Sequence, residues 1–247
     1  MKRSLLATFI ACAITSTGWA LEYNQTVVAI FGSGNPNTGW TTGTGGDLTL
    51  GLRAKNLDDG STPNTEGVYT FAPGYSANNS ALALWNFEFS INSGSQSLSS
   101  YDFYLGVDMD PTLGVNYVDS LINPLTYLED NSYGSSGTLN GLGTESSFAD
   151  ALLEGHTVAQ NSLNIAFAGL DPRISGTYDY RLFAIAKDMG NSPNPSLGEF
   201  DWSPAMPSFA PVADVNIRVT VPDGGGTLAM LGLSLVGLAG ISRRRIA

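Results

Sequence analysis

Apolar and polar residues alternate along most of the chain between residues 47 and 221. Successive side chains of a β-strand point to opposite faces of a sheet, so this period of two predicts strands that are buried on one side. The alternating segments are residues 47–52, 84–91, 101–108, 162–168, 177–187 and 215–221. The residues predicted to face the core are Leu48, Leu50, Leu52, Trp85, Phe87, Phe89, Ile91, Phe103, Leu105, Val107, Leu163, Ile165, Phe167, Tyr178, Tyr180, Leu182, Ala184, Ala186, Val215, Ile217, Val219 and Val221.

Two further segments, residues 26–31 and 68–72, are predicted to be strands because they are rich in apolar, β-branched and aromatic residues. The stretches between the strands are rich in Gly, Ser, Asn and Pro, which supply turn conformations. Long loops of this kind favour a sandwich of two sheets over a tight meander. The longest loops are residues 32–46, 58–67, 73–80 and 190–211.

One helix is predicted, over residues 146–154, with Gly155 ending it. The predicted fold class is therefore all-β: an antiparallel, jelly-roll-like β-sandwich of eight or more strands with one short helix. Residues 21–220 suit one such domain. They contain no cysteine, so the core must hold the fold together without disulfides.

The first 20 residues predict a secretory signal peptide. A basic start is followed by the apolar residues 5–14 and then by small residues, and the best cleavage position follows Ala20. Cys12 raises the alternative of a lipoprotein signal, but Phe9 stands where such signals usually have Leu. We therefore expect export through a secretion translocon.

The C-terminal residues 221–247 divide into a short polar motif, an uncharged apolar run and a basic cluster. The run would form only about 21 Å of helix, whereas a permanent span needs about 20 residues. Arginines beyond it hold that end on the cytoplasmic side. These features predict a temporary membrane anchor, with an ordinary unprocessed tail anchor as the alternative. The apolar positions are Leu228, Leu231, Leu233, Leu235, Val236, Leu238 and Ile241, and the basic ones are Arg243, Arg244 and Arg245.

This order of motif, apolar run and arginines resembles the PEP-CTERM family of sorting tails, in its Val-Pro-Asp variant. The resemblance implies recognition by an exosortase, a membrane cysteine protease-transpeptidase. It also implies transient anchoring in the inner membrane of a Gram-negative bacterium, followed by delivery to the cell surface or extracellular matrix. The motif residues are Val221, Pro222, Asp223, Gly224 and Gly225.

The body of the chain is strongly acidic once the two targeting segments are set aside. Residues 21–220 contain 21 acidic residues and six basic ones. Such a surface repels the phosphate backbone of nucleic acids. A nucleic-acid partner is therefore excluded.

The densest polar cluster, residues 108–119, places Asp108 and Asp110 at the end of a predicted strand. Carboxylate oxygens hold Ca²⁺, so a structural calcium is one hypothesis, although the spacing does not match an EF-hand loop. The alternative is a turn that the same side chains shape by bonding to nearby backbone N–H groups. A metal shared with the acidic residues 129–131 is a second hypothesis. No other cofactor is expected.

The sequence offers little for catalysis. His156 is the only histidine, and no nucleophile-elbow motif accompanies it. A glycosidase would need two carboxylates about 5–9 Å apart, and Glu88, Asp102 and Asp108 lie on polar faces of predicted strands. We expect a non-catalytic protein, with a glycoside hydrolase as the least favoured alternative.

Four aromatic residues fall in predicted loops: Trp40, Tyr75, Trp202 and Phe209. They could stack on sugar rings or cover the open ends of the sandwich. The predicted function is that of an exported structural or interaction protein of the cell surface or matrix. A carbohydrate-binding module that contacts extracellular polysaccharide is the alternative.

Overall fold

The computed structural model describes residues 20–108, 110–122, 132–145, 148–187 and 211–223. Within these ranges the chain forms two six-stranded sheets that pack face to face. The predicted all-β sandwich with one short helix is confirmed. The predicted signal peptide, apart from Ala20, and the predicted apolar helix over residues 228–241 lie outside the described residues.

All neighbouring strands of the first sheet are antiparallel. In spatial order the sheet contains β1 (Leu21–Gln25), β2 (Trp40–Gly45), β3 (Leu48–Asn56), β6 (Trp85–Asn92), β10 (Val158–Asn164) and β9 (Tyr133–Gly134).

The second sheet is antiparallel except between its second and third strands, which run parallel. In spatial order it contains β4 (Asn64–Thr65), β5 (Val68–Thr70), β12 (Ala213–Val221), β11 (Gly176–Ala186), β7 (Tyr101–Asp108) and β8 (Tyr117–Leu121).

Aromatic rings from both sheets meet in the core between them. The Trp85 ring stacks on Phe71 at 5.8 Å and meets Tyr180 edge-on at 6.2 Å. The Phe87 ring also stacks on the Tyr180 ring, with 4.5 Å between the ring centroids. Burying one such side chain contributes about 1.5–3 kcal/mol, so these contacts are a main reason why the two sheets stay together.

Six of the predicted strands are confirmed, and their predicted inward residues are buried except for Ala186. β12 alternates between buried and less buried residues, whereas β3, β6 and β7 are buried on both faces. The six confirmed strands are the ones predicted over residues 47–52, 68–72, 84–91, 101–108, 177–187 and 215–221.

The strand predicted over residues 162–168 is wrong in its bounds. β10 begins earlier, at Val158, and ends at Asn164, whose side chain caps a 3₁₀ turn. Phe167, predicted to face the core, is 76% exposed in that turn. The start of β10 escapes the pattern because buried polar residues such as Gln160 interrupt the alternation.

The strand predicted over residues 26–31 is also wrong. This segment crosses the outer face of the first sheet, where its apolar side chains form a small buried cluster with Trp40. The N–H of Ile30 donates to Gln160 Oε1 (2.8 Å), and Gln160 Nε2 donates to the Val28 carbonyl (2.9 Å). The Gln160 side chain therefore makes the hydrogen bonds to the backbone of this segment that a neighbouring strand would make in a sheet. We call residues 26–39 the cover segment.

β2 lies inside residues 32–46, which are predicted to be a loop. Glycine at positions 43 and 45 removes the alternation that marks a strand, and the structure gives the reason. A Cβ atom at Gly43 or Gly45 would collide with the carbonyl oxygen of Asp214 or Val212 on the facing sheet. The close approach of the two sheets therefore requires glycine here.

The single predicted helix is confirmed as α1 (Phe148–Leu153). Its C-terminal end, Leu153, lies one residue before the end of the predicted range, residues 146–154, and residues 146 and 147 lie outside the described residues. The chain turns at Gly155, which has a left-handed φ of 73°, a conformation that favours glycine at a helix end.

Candidate functional site

The C-terminal motif begins inside the sandwich. Val221, the last residue of β12, is 3% exposed and pairs with Gly176 of β11. The next two residues, Pro222 and Asp223, are exposed. The Pro222 carbonyl accepts a hydrogen bond from Ser175 Oγ (3.3 Å). β12 thus ends within the motif, and Asp223 is exposed directly beyond this strand.

The strand that leads into the motif lies in the interior of its sheet. β12 pairs with β11 along its whole length and with β5 on its other side. Pulling Val221 out of the sheet would leave backbone groups unpaired and expose an apolar side chain, both of which cost free energy. The predicted boundary between residues 220 and 221 therefore falls within a strand, without a spacer.

Three loops surround the point where the chain leaves β12. The Pro111 carbonyl accepts the N–H of Thr177 (3.1 Å), and the Pro172 carbonyl accepts the N–H of Gly74 (2.7 Å). These bonds join loops from both sheets at one end of the sandwich. We call this end the exit end, and it comprises residues 71–84, 110–116, 165–175 and 222–223.

Two carboxylates at or beside the exit end are fixed by hydrogen bonds. Arg173 Nε and Nη2 donate to the two oxygens of Asp171 (2.9 and 2.7 Å), and this contact lowers the pKa of Asp171 to about 2. Hydrogen bonds from Ser76 Oγ and from the N–H of Ala77 lower the pKa of Asp58. Both groups are therefore ionised at neutral pH.

Of the predicted calcium ligands, Asp110 lies in the exit end and Asp108 lies beside it, and both accept hydrogen bonds from the backbone. The N–H of Asp110 donates to Asp108 Oδ1 (3.0 Å), that of Asn116 to Asp108 Oδ2 (3.3 Å), and that of Thr112 to Asp110 Oδ1 (3.0 Å). This is the turn given above as the alternative. Among the described residues, no three His, Cys, Asp or Glu side chains are grouped as a metal site. The calcium site stays a prediction, and residues 129–131 lie outside the described residues.

A buried ion cluster lies between the first sheet and the cover segment. Arg53 Nε donates to Glu88 Oε2 (2.5 Å), and Lys55 Nζ lies 2.7 Å from Glu88 Oε1. Arg53 Nη1 donates to the carbonyls of Pro36 (2.6 Å) and Thr38 (2.9 Å). Both charges of the Arg53–Glu88 pair are fully buried, so their mutual contact compensates the loss of water.

The three acidic residues considered for glycosidase chemistry are not brought together. Glu88 lies on the outer face of the first sheet, whereas Asp102 and Asp108 belong to β7 of the second sheet. Asp102 lies 3.1 Å from Lys187 Nζ. His156 Nε2 contacts Glu154 Oε2 at 2.7 Å after α1. Each of these groups has a structural partner.

The four aromatic residues predicted in loops do not form one surface. Trp40 is fully buried in β2, with the Arg53 guanidinium 4.3 Å from its ring centroid, so its predicted position in a loop is wrong. Tyr75 is exposed at the exit end, and its ring centroid lies 5.9 Å from the Arg173 guanidinium. The other two, Trp202 and Phe209, lie outside the described residues.

The outer face of the second sheet carries ion pairs that the sequence pattern does not identify. Arg181 bonds to both oxygens of Asp119, and Arg218 bonds to both oxygens of Asp179 (2.8 and 2.9 Å). Burial next to the Asp179 carboxylate raises the pKa of Tyr117 to about 12. These pairs offset part of the charge of an acidic body.

Comparison with known proteins finds one similarity. The family model described as the VPDSG-CTERM motif matches residues 220–245. No curated protein and no solved structure matches the chain. The part of the chain that the structure describes contains no helix with the length and apolar character needed to cross a bilayer. The predicted sorting tail is confirmed, and the match begins one residue before Val221, within β12.

Proposed function

Since residues 220–245 are a PEP-CTERM-like sorting tail, we propose that the chain is an exported protein with a non-catalytic structural or interaction role at the cell surface or in the extracellular matrix. Tails of this type are processed by exosortase, a membrane protein. The tail then directs the sorting of the chain, and the β-sandwich body is the part that is delivered.

The observation that carries this proposal is the position of the motif relative to the fold. Val221 is buried in β12, and Pro222 and Asp223 are exposed beyond it. A protease needs an extended, accessible stretch of backbone, which these exposed residues begin to provide. Cleavage beyond Asp223 would leave all the described strands of the sandwich complete, so the body would stay folded after its release.

The tail supplies the membrane part of the mechanism. Residues 228–241 enter the inner membrane, and the three arginines keep the C-terminus on the cytoplasmic side. The apolar run is short for a span, so the bilayer must thin or the arginines must extend toward the headgroups. Such a segment holds the chain long enough for an exosortase to act on the motif.

The role proposed for the body is non-catalytic because its candidate groups are already engaged. Glu88 neutralises buried cations, Asp108 shapes a turn, and His156 contacts Glu154. The sandwich is held together by aromatic packing and buried ion pairs, which suits a stable component of a surface or matrix.

The tail is tested by two variants of the full chain in an exporting host that has an exosortase. Asp223→Ala removes the motif carboxylate, and deletion of residues 243–245 removes the cytoplasmic stop. Both are expected to reduce protease-accessible protein at the cell surface, whereas Glu154→Ala, a control that removes an exposed carboxylate outside the motif and the exit end, leaves it unchanged. Surface delivery equal to wild type in both variants would contradict the proposal.

A further inference from the structure

Exposed apolar side chains are concentrated at the exit end. Eleven large hydrophobic residues are exposed in the described part of the chain, and five of them lie there. Their exposed fractions run from 42% to 86%. These five residues are Tyr75, Leu113, Val115, Phe167 and Ile174.

The five residues are far apart in sequence, and the topology brings them together. Leu113 follows Pro111, whose carbonyl bonds to Thr177 at the start of β11. Ile174 precedes Ser175, which bonds to the Pro222 carbonyl. The loops that contain them therefore border the residues through which the chain leaves the fold.

The loops of Phe167 and Tyr75 reach the same end from the first sheet. Asn164, which caps the turn of Phe167, accepts the N–H of Ala83 (2.9 Å). Ala83 lies opposite Tyr75 in an isolated bridge. The five side chains thus belong to loops at one end, around the exit of β12.

The chain between the fold and the apolar run is short. Only residues 224–227 separate Asp223 from Leu228, and an extended chain spans at most about 3.3–3.6 Å per residue. The linker therefore reaches less than about 20 Å. The headgroup layer of one leaflet takes about 5–8 Å of that distance. The linker therefore keeps the exit end within about 15 Å of the bilayer surface whenever the run is inserted.

The exit end carries more negative than positive charge, which favours a zwitterionic over an anionic bilayer surface. Asp171 and Arg173 form a two-bond ion pair, and Asp110 and Asp223 of this end carry further negative charge. No cluster of basic residues is present on the described part of this end, which excludes attraction to anionic lipid as the driving force. Apolar side chains that enter the boundary between headgroups and acyl chains gain free energy without such attraction.

We propose that the exit end is a membrane-facing surface, whose residues Leu113, Phe167 and Ile174 enter the headgroup region of a zwitterionic bilayer while the tail is inserted. This inference rests on the proposed function of the tail. The membrane-facing surface would orient the body so that Pro222 and Asp223 lie at the bilayer, where a membrane enzyme acts.

The test uses residues 21–247, the chain that remains after the predicted signal cleavage and that contains no cysteine. This chain is reconstituted in phosphatidylcholine vesicles and carries a fluorophore on one new cysteine. Leu113→Cys and Phe167→Cys probe the exit end. Leu153→Cys is the control, since it is 87% exposed on α1, which leads into the opposite end of β10. All three positions are exposed, so the substitutions leave the core intact.

Brominated phosphatidylcholine is expected to quench the labels at 113 and 167 several-fold more strongly than the label at 153. Equal quenching at all three positions would overturn the inference. Protection of 113 and 167 from iodide without quenching by lipid would also overturn it, because a protein partner or second copy would then cover this end.

An alkaline wash separates this inference from the function on which it rests. Retention of the chain on the vesicles, with loss of retention when residues 224–247 are deleted, supports insertion of the tail independently of the labels. Release of residues 21–247 by the wash would overturn the proposed anchoring and the membrane-facing surface together. Retention with equal quenching would overturn only the membrane-facing surface.

Discussion

Val221 and Gly176 are paired at the last position of the ladder between β12 and β11, so the sorting motif is joined to the fold by a strand pair. Gly176 lies against Pro111, and a Cβ atom there would collide with the Pro111 carbonyl and side chain. The geometry around the exit of the chain therefore depends on this glycine.

Gly176→Ala is expected to lower the free energy of unfolding by about 1–3 kcal/mol, since the Pro111 loop must move to admit the new methyl group. Urea denaturation measures this change. The matched control is Gly114→Ala, because a Cβ at Gly114 meets only Thr112 Oγ1 at 3.7 Å. Equal stability of the two variants would show that the Pro111 contact is not tight.

Glu88→Gln tests the buried ion cluster. The substitution leaves Arg53 and Lys55 without a counter-charge in a buried site, and removing one partner of a buried pair costs about 3–5 kcal/mol. The free energy of unfolding, measured with urea, should fall by that amount. Glu154→Gln at the exposed contact with His156 is the control, and it should change stability little.

Gln160→Leu tests how the cover segment is held. The variant removes the partners of the Ile30 N–H and of the Val28 carbonyl, and each group left unsatisfied costs about 1–3 kcal/mol. Hydrogen exchange of the Ile30 amide should become faster, and the unfolding free energy should fall. Gln25→Leu is the control, since its bond to Tyr23 lies at the surface. Unchanged exchange at Ile30 would contradict the assignment.

Buried phenols predict a loss of stability at high pH. Burial raises the pKa of Tyr69 and of Tyr117 from 10.0 to about 12. In the unfolded chain these groups lose their protons near pH 10, so the folded state binds more protons above that pH and stability falls as the pH rises toward 12. Urea midpoints between pH 9 and 12 measure the slope. Tyr69→Phe should reduce it and Tyr23→Phe should not, whereas an unchanged slope in Tyr69→Phe would contradict the assignment.

The sandwich could be predicted because its core strands follow a period of two. Trp85, Phe87 and Phe103 alternate with polar residues and are buried as expected. β2 could not be predicted, because Gly43 is required by the carbonyl of Asp214 on the facing sheet, and no local pattern records that contact.

One part of the candidate site could be predicted from the sequence, and the other part could not. The sorting tail is local in sequence and could be predicted, as the family match to residues 220–245 confirms. The exit end could not, because it depends on contacts such as that between Gly74 and Pro172, which are distant in sequence. Phe167 continues an alternating pattern, yet Asn164 ends its strand and leaves it exposed.

The most direct test is the intact mass of the protein recovered from the surface of an exporting host that contains an exosortase. We expect a chain that retains β12 and ends within residues 222–227, without the apolar run and the three arginines. A surface protein whose mass still includes Ala247 would contradict the account, because the tail would then be a permanent part of the mature chain.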